Sequence, residues 1–332
     1  MNKVIGIGNA LVDALAIMQD DALLEQLALP KGSMQLINRD KFYRIRDVAS
    51  AYTTHRSPGG SASNMIRALA TLGHSSGFIG KVGVDEAGEF YQSALHQKGI
   101  QSFLIKSDLP TGIASAFISP DGERTFATYL GAGATLQAEE IAESVYKGYD
   151  YFFVEGYLVQ DHALIESALR TAKEQGLKVC LDLASYNIVE EDLPFFQHLV
   201  QNYVDIVFAN ESEAKAFTGK SPYKAIEEMA KICEIVVIKI GKRGSLIGRG
   251  EEIIPIKAVD VPAQKVEDTT GAGDFYAAGF LHGLLQNVPL DICGSMGSLL
   301  SAKVIQYIGA DLPGDEWQTV KCSLNTLIDK YK

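Results

Sequence analysis

Residues 268–274, Asp-Thr-Thr-Gly-Ala-Gly-Asp, place small residues between two carboxylates, just ahead of an apolar stretch at 275–285. The apolar stretch predicts a helix, and small residues at a helix start leave backbone N–H groups accessible. Because the helix dipole adds positive potential at that end, the segment predicts an anion-binding loop. Asp274 would lie in the first helical turn, where a carboxylate either caps the helix or accepts a proton from a reacting hydroxyl.

Phosphoryl transfer is the chemistry that needs both features of this segment. Preorganised N–H donors stabilise the negative charge of the transferring group, and the attacking hydroxyl must lose its proton to a base. A helix cap alone needs only one of the two acidic residues, Asp268 and Asp274. The two acids around small residues therefore favour a catalytic loop over a purely structural one.

Two other segments resemble phosphate-binding motifs but lie in the wrong context. Residues 6–11 have Leu11 where the dinucleotide fingerprint requires a third glycine, so no such site is predicted. Residues 214–221 match a relaxed P-loop pattern in which Ala214 replaces the first glycine. They lie at the end of a predicted helix, 211–217, with Thr218 and Gly219 as its stop. A phosphate there would face carbonyl groups instead of amides, so this segment is not expected to bind nucleotide.

The elements that must position these residues alternate between apolar strands and amphipathic helices. Strands are predicted at 3–8, 76–82, 151–155, 178–183, 204–209 and 234–240, and helices at 61–72, 85–98 and 161–175. This order predicts a mostly parallel sheet covered on both faces, with ligands at the carboxyl ends of its strands. Residues from about 14 to 57 and from about 111 to 130 interrupt the order. We expect them to form a separate flap over the site, the second around a turn at 119–122.

Composition excludes several classes of protein. The chain has 332 residues, of which 47% are hydrophobic and 21% charged, so it is expected to form one large or two smaller globular domains. Its formal net charge of −11 argues against binding to duplex nucleic acid or to anionic membranes, which requires clustered cations. A small anionic ligand needs only one local pocket and stays compatible with this charge.

Cysteine usage and hydropathy indicate the compartment. The four cysteines are isolated, so neither a zinc site nor a dithiol redox site is predicted, and three of them lie in apolar runs typical of a buried core. The apolar N-terminal stretch is interrupted by Gly6, Gly8, Asn9 and Asp13, which favours a buried strand over a signal peptide. No apolar run reaches the roughly 18 residues of a membrane span. We therefore expect a cytoplasmic protein without a membrane partner.

Together with residues 59–64, Gly-Gly-Ser-Ala-Ser-Asn, the 268–274 segment resembles the two signatures of the ribokinase-like, or PfkB, family of carbohydrate and nucleoside kinases. The two signatures occur in the family's order, about 200 residues apart, and family-like segments extend from Gly6 to Pro313. The resemblance implies a single domain, 1–332, with a three-layer α/β/α fold, a mostly parallel central sheet and a small β-rich lid. It also implies transfer of the γ-phosphoryl group of ATP to a primary hydroxyl, with Mg²⁺ and, in many members, a monovalent cation such as K⁺.

The resemblance assigns roles to individual residues. Asp274 would be the general base, and the amides of Gly271, Ala272 and Gly273 would form the anion hole. Residues assigned to the hydroxyls of the acceptor are Asn9, Asp13, Gln35, Gly59, Gly60 and Asn64. Residues assigned to the nucleotide are Arg124, Asn210, Glu213, Lys239, Gly241 and Gly244.

Some assignments are more specific. Glu213 would organise water around Mg²⁺, and Asp268 and Thr270 would lie near the monovalent cation, as would the backbone at Gly309. The pair Gly59-Gly60 would be the hinge of the flap, since glycine permits large backbone changes. Arg124 would clamp a phosphate. Lys239 stands where many family members have threonine, so the resemblance leaves its role open.

The identity of the acceptor stays open between two branches of the family. Residues 6–13 and 203–214, and Gln35, resemble the adenosine kinase branch. The aromatic rings that sandwich a purine in that branch are only partly present, since Asn187 lies near one expected position and Leu158 follows Tyr157 at the other. Residues 129–134 resemble sugar-kinase members.

An adenosine-kinase-like nucleoside kinase and a ribokinase or other sugar kinase (for fructose or 2-keto-3-deoxygluconate) are therefore both expected candidates. A non-catalytic ligand-binding regulator on the same fold is a more distant alternative, because both Asp274 and the small-residue loop are intact. Edge strands of the flap could pair between copies, which leaves a monomer or a homodimer as the expected state.

Overall fold

The computed structural model describes residues 2–49, 52–121 and 123–331. The strands within these ranges are β1 Val4–Ile7, β2 Leu11–Ile17, β3 Met34–Leu36, β4 Thr53–Gly59, β5 Ser76–Gly83, β6 Gln101–Ser107, β7 Thr111–Ile118, β8 Arg124–Gly131, β9 Tyr151–Glu155, β10 Lys178–Asp182, β11 Ile206–Asn210, β12 Ile235–Lys239, β13 Ser245–Arg249 and β14 Glu252–Ile256. The helices are α1 Ala22–Gln26, α2 Arg39–Ala49, α3 Ser61–Thr71, α4 Glu86–Gln97, α5 His162–Glu174, α6 Tyr186–Glu191, α7 Leu193–Tyr203, α8 Glu211–Thr218, α9 Pro222–Met229, α10 Ala272–Leu285, α11 Leu290–Val304 and α12 Gly314–Tyr331.

The larger sheet has nine strands in the order β14-β13-β12-β11-β10-β9-β1-β5-β6. All pairings from β12 through β6 are parallel, and β13 and β14 add an antiparallel edge. All four residues of β1 are buried, as expected for a central strand covered on both faces. Helices α3, α4, α10, α11 and α12 pack on one face and α5, α7, α8 and α9 on the other. This arrangement confirms the predicted three-layer α/β/α fold.

Local patterns predicted the boundaries of these elements closely. The predicted strands and helices of the larger sheet agree with the structure to within two residues at each end. The exception is α10, which begins at Ala272, three residues before the apolar stretch from which the helix was predicted. The apolar period identifies a helix only where side chains enter the core, and the first turn of α10 faces a cavity instead.

The smaller sheet has five strands in the order β3-β8-β7-β2-β4. Its strands come from the two segments that interrupt the strand–helix alternation. Helices α1 and α2, which the sequence did not predict, cover one face of this sheet, where Leu24 of α1 and Ile45 of α2 share a buried cluster with Phe117 of β7. The polar composition of α2, with six charged residues in eleven, conceals its narrow apolar stripe. Of the turn predicted at 119–122, Gly122 lies outside the described residues.

Other predictions concern the rest of the chain. Cys180, Cys233 and Cys293 are buried, as predicted for cysteines in apolar runs, and Cys322 is exposed. Within the described ranges, no helix combines the length and the apolar character needed to cross a lipid bilayer.

Candidate active site

A cavity of about 1360 Å³ lies between the larger sheet, the smaller sheet and the first turns of α3 and α10. This volume exceeds the roughly 300–1,000 Å³ typical of a site for one small molecule. Polar residues at the carboxyl ends of five parallel strands line it: Asn9, Glu155, Asp182, Asn210 and Lys239. The position agrees with the expectation that ligands of such a sheet bind where its strands end.

Most of the predicted site residues meet in this cavity. It is lined by Asn9, Asp13, Gly60, Asn64, Asn210, Glu213, Lys239, Gly241, Gly244, Thr270, Ala272, Gly273 and Asp274. Within the part of the chain that the structure describes, five of the predicted site residues do not line the cavity: Gln35, Gly59, Arg124, Asp268 and Gly271. Gln35 lies between Met34 and Leu36, which do line the cavity, and alternate strand residues point to opposite faces. Gln35 therefore lies on the opposite side of β3 from the cavity, and its contact with the acceptor stays a prediction.

The N-terminus of α10 provides uncapped amides at the cavity wall. Gly271 is its N-cap, with the left-handed φ of 77°, and it has no side chain with which to bond the first amides. A Cβ atom at this position would lie 2.6 Å from the Cβ of Ala310, so close packing as well as conformation requires glycine. The amide of Ala272 donates a hydrogen bond of 3.2 Å to the carbonyl of Thr269, whereas the amide of Gly273, which follows directly, is available to a ligand. This end of the helix therefore combines an accessible N–H donor with the positive end of the helix dipole.

Asp274 lies in the first turn of α10 and joins it to α3. One carboxylate oxygen accepts a hydrogen bond of 2.7 Å from Ser61 Oγ, and the other accepts one of 2.9 Å from Asn64 Nδ2. Desolvation in the site raises the pKa of Asp274, while the two hydrogen bonds act in the opposite direction. Each oxygen keeps a lone pair for a further donor. A carboxylate that is oriented in this way and has a raised pKa is suited to accept a proton from a bound hydroxyl.

The glycine pair 59–60 makes room for neighbouring polar groups. A Cβ at Gly59 would collide with the carboxylate of Asp13, and one at Gly60 would collide with the backbone carbonyl of Asn9. Gly60 also has a φ of 90°, which disfavours any other residue. Burial raises the pKa of Asp13 to about 7, with Arg67 lowering it and Asp274 raising it further. Asp13 is thus a carboxylate at the cavity wall that titrates near neutral pH.

Glu155, at the end of β9, is a site residue that the sequence analysis missed. It is buried and accepts hydrogen bonds from the backbone N and Nδ2 of Asn9, both 2.8 Å, and from the backbone N of Ala62, 3.0 Å. Burial raises its pKa to about 7, although these three hydrogen bonds act to lower it. It fixes Asn9 and the first turn of α3 to the sheet. The sequence feature that could have revealed Glu155 is an acidic residue at the end of an apolar strand.

Asp182, at the end of β10, is a second missed residue and pairs with Lys239. The Nζ atom of Lys239 lies 3.0 Å from Oδ2 of Asp182, and both side chains are largely buried, with 17% and 8% exposed. Burial opposes the charged form of Lys239, but the carboxylates of Asp182 and Glu213 outweigh it and raise its pKa. The lysine is therefore an ammonium ion at neutral pH. Its sequence signal, a lysine that ends an apolar strand, did not reveal its partner.

Asn210 and Glu213 form a reciprocal cap at the start of α8. Asn210 Oδ1 accepts hydrogen bonds from the backbone amides of Ser212 and Glu213, both 2.9 Å, and Glu213 accepts from the backbone amide of Asn210, 2.7 Å. Burial, followed by the charge of Asp182, raises the pKa of Glu213, although Lys239 opposes the shift. Because α8 ends at Gly219, residues 214–221 lie at a helix C-terminus, as predicted when the P-loop reading was rejected.

Arg124 and Asp268 lie outside the cavity and contact each other. Arg124, the first residue of β8, forms an ion pair of 2.5 Å with Asp268 and donates to the carbonyl of Glu267, 3.1 Å. Asp268 also accepts from the amides of Thr270 and Gly309, both 2.9 Å. Although burial acts in the opposite direction, Arg124 and these amides lower the pKa of Asp268. The arginine thus connects the smaller sheet to the loop before α10.

Comparison with known proteins identifies the family. The model of the pfkB family of carbohydrate kinases matches residues 33–317. The chain belongs to this family. It is 27% identical to an adenosine kinase of Schizophyllum commune, over 96% of this chain and 98% of that protein. The family confirms the predicted resemblance and makes the chain a kinase, for which ATP is the expected phosphate donor.

Two solved structures of this fold are similar to the chain over nearly its whole length. The crystal structure of adenosine kinase from Sinorhizobium meliloti has 32% sequence identity and a TM-score of 0.85, covering 97% of this chain and 99% of that one. A probable sugar kinase from Rhizobium etli CFN 42 has 29% identity and the same TM-score, covering 97% of this chain and 98% of that one. The two names represent the same two classes of acceptor that the sequence left open.

Proposed function

We propose that this pfkB kinase transfers the γ-phosphoryl group of ATP to a primary hydroxyl of a nucleoside, with an adenosine-like molecule as acceptor. The observation that carries this proposal is the cavity-facing side of the smaller sheet, which is mostly apolar: Leu11, Met34, Leu36, Ala114 and Leu130. Met34 and Leu36 are 60% and 57% exposed. A free sugar has hydroxyl groups on every side and gains little from such a wall. A nucleoside places its flat, weakly polar base against it.

The remaining residues complete the proposed reaction. Asp13 would accept hydrogen bonds from the ribose hydroxyls, and Asn64 would donate one to them. The amide of Gly273 would hold the transferring phosphoryl group. Asp274 would take the proton of the attacking hydroxyl as the new O–P bond forms. The bond between the β- and γ-phosphates breaks, and ADP leaves with its electron pair. In this proposal the smaller sheet acts as the lid of a single kinase domain, with Gly59-Gly60 as its hinge.

The residues at the start of α8 fit a hydrated Mg²⁺ ion. Within the described ranges, no cluster of three or more acidic, histidine or cysteine side chains could hold a metal directly. Burial and the charge of Asp182 disfavour the ionised form of Glu213, so a nearby cation would stabilise its carboxylate. Glu213 and Asn210 would hold water molecules of such an ion, which neutralises phosphate charge when bound. The surroundings of Asp268 do not fit K⁺ in this arrangement, because the Arg124 guanidinium already contacts its carboxylate.

A sugar kinase is the second candidate, and one observation favours it. Asn187 lines the cavity near the position where the resemblance places an aromatic ring, and Ser185 and Gln160 line the cavity too. These side chains offer hydrogen bonds to hydroxyl groups instead of a stacking surface. Tyr157 is the aromatic residue that supports the nucleoside reading on this side.

A coupled assay of ADP formation, with ATP, Mg²⁺ and one acceptor at a time, tests the proposal. The panel contains adenosine, inosine, ribose, fructose and 2-keto-3-deoxygluconate. We expect turnover with a nucleoside, and turnover with a free sugar alone would refute the nucleoside assignment. If no acceptor is phosphorylated while ATP still binds, the non-catalytic alternative is favoured.

A variant of the cavity-facing side of the smaller sheet tests whether this apolar surface binds the base. Leu36→Ser removes an apolar side chain that a bound base would cover, a contact worth about 1.5–3 kcal/mol when complete. We expect the KM for the nucleoside to rise by about tenfold or more, with little change in the KM for ATP. Val84→Ser is the matched control, because Val84 is 75% exposed and is absent from the described residues lining the cavity. An unchanged KM in Leu36→Ser would contradict the apolar base site.

A further inference from the structure

Lys239 lies against the proposed anion hole. It is the last residue of β12, and its side chain enters the cavity toward the first turn of α10. A Cβ atom built on Gly273 would lie 3.0 Å from Nζ of Lys239, closer than ordinary van der Waals contact. An anion bound to the amide of Gly273 would therefore meet this ammonium group as well. Glycine at 273 leaves the space between the amide and the lysine open.

Asp182 fixes the position of the ammonium group. Its Oδ2 atom pairs with Lys239 Nζ, and its Oδ1 atom accepts a hydrogen bond of 2.9 Å from the amide of Ala184. The carboxylate is thus held at both oxygens and cannot easily turn away with the lysine. A long, flexible side chain becomes a preorganised cation, which is what stabilises charge during a reaction.

The balance of charge in the cavity indicates what the lysine serves. Asp182, Glu213 and Asp274 surround it, and the residues that line the cavity include more carboxylates than cations. An ATP molecule adds further negative charge at the same place. A lysine that only neutralised Asp182 would not need to reach the wall formed by Gly273. Its position beside the uncapped amides points to an anionic ligand instead.

Resting on the proposed function, we propose that Lys239 is a catalytic residue whose ammonium group contacts the transferred phosphoryl group. It donates hydrogen bonds to the phosphoryl oxygens and gives up no proton, since the proton of the acceptor hydroxyl goes to Asp274. The acceptor oxygen forms its bond to phosphorus while the bond to the β-phosphate oxygen breaks. Lys239 holds its charge beside the phosphoryl group throughout, so it adds an electrostatic donor to those of the helix start.

The test compares Lys239→Met, which removes the charge at similar length, with Lys239→Arg, which keeps it. Lys239→Thr is a second uncharged variant in case the methionine packs poorly. The matched control is Lys224→Met, which also removes a lysine from an ion pair, with Glu227 on the exposed surface of α9. Thermal unfolding of each variant checks that the fold is intact.

Removal of one anion-hole donor costs about 10²–10³-fold in kcat in comparable sites. We expect a loss of this size in Lys239→Met and Lys239→Thr, an unchanged KM for the acceptor, and partial recovery in Lys239→Arg. Lys224→Met should behave as the wild type. A kcat within about threefold of the wild type in both uncharged variants would overturn the proposal.

Binding measurements separate this inference from the proposed function. Calorimetry compares ADP with adenylyl imidodiphosphate, an ATP analogue that carries an uncleaved γ-phosphate. We expect Lys239→Met to weaken binding of the analogue by about tenfold or more and to leave ADP unaffected. Equal losses for both ligands would show a merely structural role. If the wild type phosphorylates no acceptor but retains this lysine-dependent difference, the proposed function fails and the phosphoryl contact stands.

Discussion

Substitution of Asp274 by asparagine should stop proton transfer without disturbing the site. In the structure, one oxygen of Asp274 accepts from Asn64 Nδ2 and the other from Ser61 Oγ. An asparagine can keep its oxygen toward Asn64 and turn its NH₂ group toward Ser61, whose hydroxyl then accepts a hydrogen bond. The hydroxyl hydrogen of Ser61 loses its acceptor, but Ser61 is only partly buried and lines the cavity, where water can accept it, so folding and nucleotide binding should be preserved.

The magnitude of the expected loss follows from the role of a general base. The amide cannot take the proton of the hydroxyl, and a positioned base contributes about 10²–10⁴-fold to the rate. The expected fall in kcat for Asp274→Asn corresponds to about 2.7–5.4 kcal/mol in the activation free energy. Ser61→Ala is the companion variant, because it removes one hydrogen bond to Asp274 and keeps the base. We expect it to lose less than about tenfold.

The assay is the steady-state formation of ADP in the presence of the acceptor that gives the highest turnover. Nucleotide affinity by calorimetry and the midpoint of thermal unfolding are measured on the same preparations. A kcat of Asp274→Asn within about tenfold of the wild type would refute the assignment of Asp274 as the base. A large fall in the unfolding midpoint would instead refute the hydrogen-bond argument for its replacement by asparagine.

Three further outcomes are expected. The pKa of Asp13 is raised to about 7, so its carboxylate becomes protonated as the pH decreases through neutrality. We therefore expect kcat/KM for the acceptor to fall over this range. A flat pH profile would contradict the role of Asp13. The wild type should not require K⁺, because Arg124 already pairs with the carboxylate of Asp268. Arg124→Ala, which frees this carboxylate, should lose activity and regain part of it on addition of K⁺ but not of tetramethylammonium. Equal activity of Arg124→Ala with either ion would refute this interpretation of the ion pair. Lys220→Ala should retain the wild-type KM for ATP, because Lys220 pairs with Glu228 on the surface; a large rise in this KM would revive the rejected P-loop.

Sequence reasoning was most successful where a feature depends on neighbours along the chain. The helix start at Gly271, Ala272 and Gly273, where we propose that the phosphoryl group binds, follows from local geometry. The six central strands of the larger sheet were equally accessible, because burial on both faces leaves continuous apolar runs that polar loops interrupt, whereas β6, β13 and β14 toward its edges were not predicted. The same reasoning excluded 214–221 as a phosphate site, since a helix end at Gly219 is recognised from nearby residues alone.

Contacts between residues that are distant in sequence could not be predicted from local patterns. Helices α1 and α2 stayed hidden because their apolar stripes have meaning only against the smaller sheet. Gln35 and Met34 are adjacent in sequence, and only the direction of β3 decides which of them faces the cavity. Arg124 was assigned to a phosphate by resemblance, and the structure pairs it with Asp268.

The sequence by itself determined the family, the three-layer sheet and the loop at which a phosphoryl group is expected to be held, because each is encoded by local pattern or by motif. Only the tertiary structure brought Ser61 and Asn64 to Asp274, across 213 and 210 positions of the chain. It alone placed the ammonium of Lys239 between Asp182 and Gly273. Parallel strands gather their carboxyl ends at one edge whatever their separation in sequence, and the charges that meet there depend on strand order, which no local pattern specifies.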